Sequence, residues 1–176
     1  STLLRRQGDN LQWPLYLEME LALNRLSAND RERLNILAFA KGGINRLVLS
    51  HALELDNLTT DALCERLIAL NLAEDEVYSH LRIDSTLANY LNSRLSADQR
   101  TEWRERWRAA MEHLLAFLYQ QYFKDNARTL RLLRLELPNL LALLRDCQQQ
   151  PLPERTARLA SQMESLFTHL GVPAAL

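Results

Sequence analysis

Leucine dominates this sequence and restricts the folds that it can adopt. The chain has 40 leucines among its 176 residues, but only 3 valines and 4 isoleucines. Leucine is a strong helix former, whereas valine and isoleucine suit the pleated, half-buried surfaces of β-sheets. We therefore predict a mainly α-helical fold.

Glycine is scarce, and its positions exclude two classes of nucleotide site. The four glycines are Gly8, Gly42, Gly43 and Gly171. A phosphate-binding P-loop needs two glycines and a lysine at fixed spacing, and a dinucleotide-binding loop needs three glycines. Because neither spacing occurs, we expect no nucleotide site and no cofactor in this chain.

Charge and cysteine content bear on partners and compartment. The net charge is −1 and the isoelectric point is about 6.4, which argues against a nucleic-acid partner. No apolar run is long enough to span a membrane, and no signal peptide opens the chain. Cys64 and Cys147 are isolated, so we predict buried thiols in the reducing cytoplasm. The absence of an initiator methionine suggests an excised part of a longer protein.

Apolar periodicity and helix-capping residues predict the order of elements. Helical patterns cover 15–26, 30–40, 44–53, 61–70, 85–95, 97–123, 127–149 and 154–170. Alternating apolar and polar residues over 77–83 predict a strand, with Asp75-Glu76 as the tip of a β-hairpin.

Individual residues set the boundaries of these helices. Gly42-Gly43 ends the second helix, and Thr59 or Thr60 caps the fourth. Ser96 and Gln99 form a capping box before the long helix. Pro138 predicts a kink, or a fresh helix start, within 127–149.

Three short helices followed by a two-stranded wing are typical of a winged-helix domain. The predicted fold is mainly α: a winged-helix domain with a small β-hairpin, followed by an antiparallel, tetratricopeptide-like helical segment. We expect an N-terminal linker or helix over 1–26, the winged-helix domain over 27–95 and the helical segment over 96–176. The two units would move about the region near 95–97.

Duplex DNA is a poor fit to this winged helix. The usual reading helix, here about 60–70, carries a single basic residue, Arg66. The tip Glu74-Asp75-Glu76 would repel phosphate. A DNA-binding transcriptional regulator with a helical dimerisation tail is therefore the alternative rather than the main hypothesis.

No arrangement of residues predicts catalysis or a metal site. The histidines show no metal-binding spacing and the cysteines are isolated. Trp103 and Trp107 are one helical turn apart and predict packing in the core or at a domain junction. Arg128, Arg131 and Arg134 share one helix face, which is either a solvated face or a docking surface for an acidic partner or neighbouring domain. The histidines are His51, His80, His113 and His169.

Several segments together resemble one protein family. The strongest are Phe39 with Gly42-Gly43, similar to that family's "LavFpGGf", and Glu136 to Leu140, similar to its "E-x-pNL". Their order resembles the winged-helix domain and first helical repeats of signal-transduction ATPases with numerous domains (STAND NTPases, which include the NB-ARC proteins). The similar segments are 21–44, 62–73, 78–95, 135–147 and 159–171.

The resemblance implies a non-catalytic regulatory relay within a signalling NTPase. An ATPase module would lie upstream and further helical repeats downstream, and the partners would be those domains or a protein bound by the helical segment. Leucines exposed at the C-terminal edge would be covered by the next repeat. Many members place a nucleotide-contacting histidine after the wing, where this chain has Asp84, and an aspartate cannot act as a cationic phosphate contact.

Overall fold

A computed structural model of the chain describes residues 14, 16–149 and 153–168, and it is mainly helical with one small sheet. The α-helices are α1 (16–23), α2 (Ala28–Arg33), α3 (Arg46–Leu53), α4 (Asn57–Ala69), α5 (Ser85–Arg94), α6 (Ala97–Tyr122), α7 (Asn126–Gln148) and α8 (Pro153–Thr168). The strands are β1 (Gly43–Asn45), β2 (Glu74–Asp75) and β3 (His80–Arg82), and 3-10 helices span Leu34–Phe39 and Val77–Ser79. The predicted mainly α character is confirmed. His169 and Gly171 lie outside the described residues.

Capping side chains fix where several helices begin. The Ser96 hydroxyl accepts a hydrogen bond from the Gln99 amide, and the Gln99 side chain accepts one from the Ser96 amide, which confirms the predicted capping box. The prediction for α4 is wrong. Asp56 caps this helix, because its carboxylate accepts the Thr59 amide at 2.7 Å, and the Thr60 hydroxyl instead donates to the Asp56 carbonyl.

The sheet is antiparallel, with strand order β1-β3-β2. Leu81 of β3 lies opposite Ile44 on one side and Asp75 on the other. Two predictions are corrected here. Asp75 belongs to a strand, so the hairpin turn spans 76–79 rather than Asp75-Glu76, and residues 44–45 form a strand before α3 begins at Arg46.

Two predicted helices differ in detail. The second stops as an α-helix at Arg33 and continues as the 3-10 helix to Phe39. No new helix starts at Pro138, because α7 continues through it. Pro138 and Arg134, whose carbonyl loses its helical partner, are both exposed, so water can satisfy that carbonyl.

One hydrophobic core extends across the predicted boundary at 95–96. It contains buried side chains from Leu23 to Phe167, and α6 packs against α3, the Leu34–Phe39 helix, α7 and α8. Arg108 of α6 pairs with Asp146 near the end of α7, so these two helices run antiparallel across their short connection. Among the described residues, none of the helices is both long enough and apolar enough to cross a membrane.

The C-terminal helix differs from what an unfinished repeat array predicts. The large apolar side chains of α8 are all buried, so the expected exposed leucine edge is absent from the described part of the chain. They are Leu159, Met163, Leu166 and Phe167. Arg155 of the same helix pairs with Glu112 of α6 and fixes its polar side.

Candidate functional site

The two strongest sequence motifs meet in a buried polar junction between β1, β3 and α7. Asn139 of α7 donates one amide hydrogen to the Gly43 carbonyl at 2.9 Å and the other to Glu136 Oε2 at 2.9 Å. Its oxygen accepts the Lys41 amide at 2.7 Å. Both amide hydrogens of Asn139 are therefore used. Its side chain bonds to the backbone on both sides of Gly42, at the Lys41 amide and the Gly43 carbonyl, as a paired strand would.

His80 completes this junction from β3. Its Nδ1 lies 2.8 Å from Glu136 Oε1, so one hydrogen is shared between the two side chains. Its Nε2 lies 4.0 Å from a carboxylate oxygen of Glu76 in the hairpin turn. His80 is 4% exposed, and Glu136 and Asn139 are fully buried. The junction thus joins β1 and β3 to α7 through three buried side chains.

Gly43 allows the close approach of these groups. A Cβ at this position would lie 2.2 Å from His80 Nε2 and 2.5 Å from the Leu81 carbonyl oxygen. Gly42 is different, because a Cβ there would meet nothing within 4 Å, but its φ is +79°. The pair is therefore required for two reasons, a close contact at one position and a left-handed backbone at the other.

The motif resemblance singled out Gly43, Glu136 and Asn139, but not His80. His80 and Glu136 are 56 residues apart, and neither spacing nor periodicity connects them. The alternating pattern placed His80 on a strand, but on the polar face with Tyr78 and Arg82, whereas the structure buries His80 as well as its neighbour Leu81.

The predicted arginine surface is only partly free. Arg128, Arg131 and Arg134 are all exposed on α7. Arg131 donates a hydrogen bond to the Tyr78 hydroxyl at 2.9 Å and so ties α7 to the hairpin turn. The guanidinium groups of Arg128 and Arg134 form no ion pair with any described residue.

Asp84, at the position of the family's nucleotide-contacting histidine, caps α5. Its carboxylate accepts the Thr86 amide at 2.6 Å. Interactions with the Thr86 side chain and with this amide lower the pKa of Asp84, which keeps the side chain anionic. Asp84 therefore has a structural role at the start of α5.

The other described histidines and the two cysteines do not form a metal site. His51 of α3 and His113 of α6 stack with ring centres 4.3 Å apart, a pairing that their spacing did not predict. Cys64 and Cys147 are buried as predicted, and burial raises the pKa of Cys64 to about 11. The described residues contain no cluster of three or more metal-ligating side chains.

The two tryptophans pack as predicted. Trp103 and Trp107 are buried, and the Trp107 ring lies 6.3 Å from the Phe39 ring, across the boundary at 95–96. Arg106 stacks on Trp103 at 5.0 Å. These contacts make the tryptophans part of the packing between the two halves of the chain.

The basic residues near the predicted DNA-reading helix are neutralised within the chain. Arg66 of α4 pairs with Asp30 at 3.2 Å. Arg46 at the start of α3 bridges Asp61 and Asp75, with distances of 2.6 and 2.9 Å. These pairs reduce the positive charge that this face could offer to phosphate.

Comparisons with protein-family models, with curated proteins and with solved structures found no match for this chain.

Proposed function

We propose that this chain is a non-catalytic regulatory and protein-interaction segment of a multidomain signalling NTPase of the STAND type. In this proposal residues 27–95 form a winged-helix unit and residues 96–176 begin a tetratricopeptide-like helical region. The chain relays a conformational change between an upstream nucleotide-binding domain and downstream helices in the cytoplasm. It holds no cofactor itself.

The topology of the sheet supports the winged-helix part of the proposal. Helix α2 and its 3-10 extension come first, then β1, α3 and α4, and then the hairpin β2–β3. The first strand joins the hairpin through β3, which gives the order β1-β3-β2. Three short helices followed by such a two-stranded wing are the arrangement expected of this domain.

The buried junction is the observation that carries the relay hypothesis. A relay needs a contact that specifies one arrangement of two units and can be broken. Buried polar groups meet this need, because they add specificity more than stability and are costly when left unpaired. Glu136 and Asn139, at 0% exposure, hold the Gly43 strand and His80 in one relative position.

Hydrogen exchange on the full chain tests this relay. Asn139→Ala removes the bonds to Lys41 and Gly43 from the α7 side. If the junction couples the two halves, the exchange rates of the backbone amides in β1 and β3 rise by about tenfold or more. This factor corresponds to the free energy lost with one buried hydrogen bond. Arg145→Gln, on an exposed position of the same helix, is the matched control and leaves exchange in the strands unchanged. Faster exchange confined to α7 would contradict the relay.

The full reading frame tests the family. The proposal predicts a Walker A motif upstream of this segment and helical repeats downstream. A frame with neither excludes a STAND-type parent. Salt-dependent binding to duplex DNA in a mobility-shift assay would instead support the DNA-binding alternative.

A further inference from the structure

The turn of the β2–β3 hairpin has an unusual backbone for the residues that form it. Tyr78 has φ 60° and ψ 35°, and Ser79 has φ 59°. The His80 amide donates a hydrogen bond to the Val77 carbonyl across these two residues. Positive φ at both central positions is a feature of type I′ turns, which are dominated by glycine, asparagine and aspartate. Tyrosine followed by serine is therefore a poor sequence for the turn that the structure contains.

The left-handed backbone makes this turn strained. In this conformation the Cβ of an ordinary residue lies too close to the following carbonyl oxygen, which costs a factor of about 5 to 30 in population for each residue. Positive φ is rarer still for a bulky side chain such as that of Tyr78. Such a conformation persists only where the surrounding structure imposes it. The contacts of the turn therefore show what keeps it in place.

Two side chains from outside the hairpin hold Tyr78. The Asn45 side chain of β1 donates to the Tyr78 carbonyl at 3.0 Å. Arg131 of α7 donates to the Tyr78 hydroxyl at 2.9 Å. The first bond lies within the proposed winged-helix unit, whereas the second comes from the proposed helical region. The turn therefore loses one of these two restraints if α7 moves away from the hairpin.

The same helix holds the hairpin at a second point, in the buried junction. His80 directly follows the turn, and its Nδ1 lies 2.8 Å from Glu136 Oε1. Arg131 and Glu136 both belong to α7 and are about 7.5 Å apart along its axis. A movement of α7 that breaks the buried contact therefore carries Arg131 away from Tyr78 as well. Separation of α7 and release of the turn are thus one event.

We propose that the turn at Tyr78 and Ser79 is a strained latch, which is closed only while α7 is docked on the hairpin. In the docked arrangement Arg131 and Asn45 hold the turn in its left-handed conformation. When α7 withdraws, the turn relaxes to negative φ, and the released strain lowers the cost of the movement. This inference rests on the proposed relay and names the strained element on which the relay acts.

Glycine at position 79 tests the strain, because glycine adopts positive φ without a steric penalty. The reporters are the Glu76 and His80 amides, which donate to the carbonyls of His80 and Val77. We expect Ser79→Gly in the full chain to raise their hydrogen-exchange protection factors about 3- to 10-fold. Ser79→Ala removes the same hydroxyl but keeps the strain, so as the matched control it changes them less than about twofold.

Removing the Arg131 bond tests the link to α7. Tyr78→Phe and Arg131→Ala should each lower the same protection factors about 3- to 10-fold, as expected for one lost hydrogen bond. Arg134→Ala, at an exposed position one turn farther along α7, is the matched control and leaves them unchanged. Adding Ser79→Gly to Tyr78→Phe restores most of the lost protection, whereas adding Ser79→Ala does not.

Three results would overturn the latch. Lower protection in Ser79→Gly would show an unstrained turn, since glycine weakens a turn with ordinary backbone. Equal effects of Arg131→Ala and Arg134→Ala would remove the link to α7, and equal rescue by alanine and glycine would remove the role of strain. The relay is tested separately by Asn139→Ala and exchange in β1. Unchanged exchange there, together with the expected Ser79 and Arg131 results, would refute the relay and support the latch.

Discussion

Substitutions at Gly42 and Gly43 test two separate requirements of the junction. One is a left-handed backbone at Gly42, and the other is a close contact at Gly43. Gly43→Ala places a methyl group against His80 Nε2 and the Leu81 carbonyl oxygen, at 2.2 and 2.5 Å. The His80 nitrogen belongs to a side chain, whereas the Leu81 oxygen belongs to the backbone of the paired strand β3. The strands must therefore separate locally. Gly42→Ala meets no atom within 4 Å and strains only the backbone, because φ there is +79°.

The cost of Gly43→Ala can be assembled from three contributions. Overpacking costs about 1–3 kcal/mol, and displacing the Gly43 carbonyl from buried Asn139 leaves a donor unpaired at about 1–3 kcal/mol. Lower entropy of the unfolded chain returns about 0.4–1 kcal/mol. We expect a net loss of about 2–4 kcal/mol in the free energy of unfolding. For Gly42→Ala the left-handed backbone costs about 1–2 kcal/mol before the same entropy gain.

Urea unfolding followed by tryptophan fluorescence measures both changes. Asparagine tolerates left-handed backbone, so Gly42→Asn recovers most of the stability that Gly42→Ala loses. Gly43→Asn recovers none, since its side chain is larger than that of alanine. A loss below about 0.5 kcal/mol for Gly43→Ala, within the usual range of surface substitutions, would refute the close approach in the junction. So would an equal rescue by asparagine at both positions.

Three further predictions concern other parts of the chain. Ser96→Ala removes the capping box at α6 and costs about 1 kcal/mol in urea unfolding, and an unchanged midpoint would contradict this capping role. Partial desolvation and the nearby charge of His113 lower the pKa of His51, which is exposed on α3, so the unfolded chain binds more protons. The stability therefore falls as the pH drops through the unfolded value of 6.5. His51→Gln should reduce that loss between about pH 7.5 and 5.5, and an unchanged pH dependence would argue against the stacked pair. Because burial raises the pKa of Cys64 to about 11, iodoacetamide should modify it at about pH 8.5 roughly a hundredfold faster in the denatured chain than in the folded one.

Local signals predicted the elements whose causes are local. The Ser96 capping box and the long helix after it depend on residues within one turn of each other, and the structure contains both. The cap of α4 was misassigned because Asp56, Thr59 and Thr60 are all acceptable capping residues, and sequence alone does not show which backbone amide each one reaches. Strand β1 was missed because three residues are too few to show alternation.

Nonlocal contacts account for the part of the site that sequence did not predict. The sequence motif at Glu136 and Asn139 is visible in the sequence. The role of these two residues depends on hydrogen bonds to His80 and Gly43, which only the fold brings next to them. Amphipathic periodicity identifies which side of α7 is buried, but not which elements lie against that side.

The contacts across the boundary determine what a relay movement would require. The Arg100 guanidinium donates to the carbonyls of Asn92 and Leu95 at 3.0 and 3.2 Å, so it clamps the end of α5 to the start of α6. Rotation about 95–97 would break this clamp and the bonds of Asn139, and each partner left unpaired in the interior costs about 1–3 kcal/mol. Moving a two-state equilibrium from 1:99 to 99:1 takes about 5.5 kcal/mol of differential binding. A signal must therefore come from a partner that binds the rearranged state much more tightly, and we expect the unbound chain to remain in the arrangement described here.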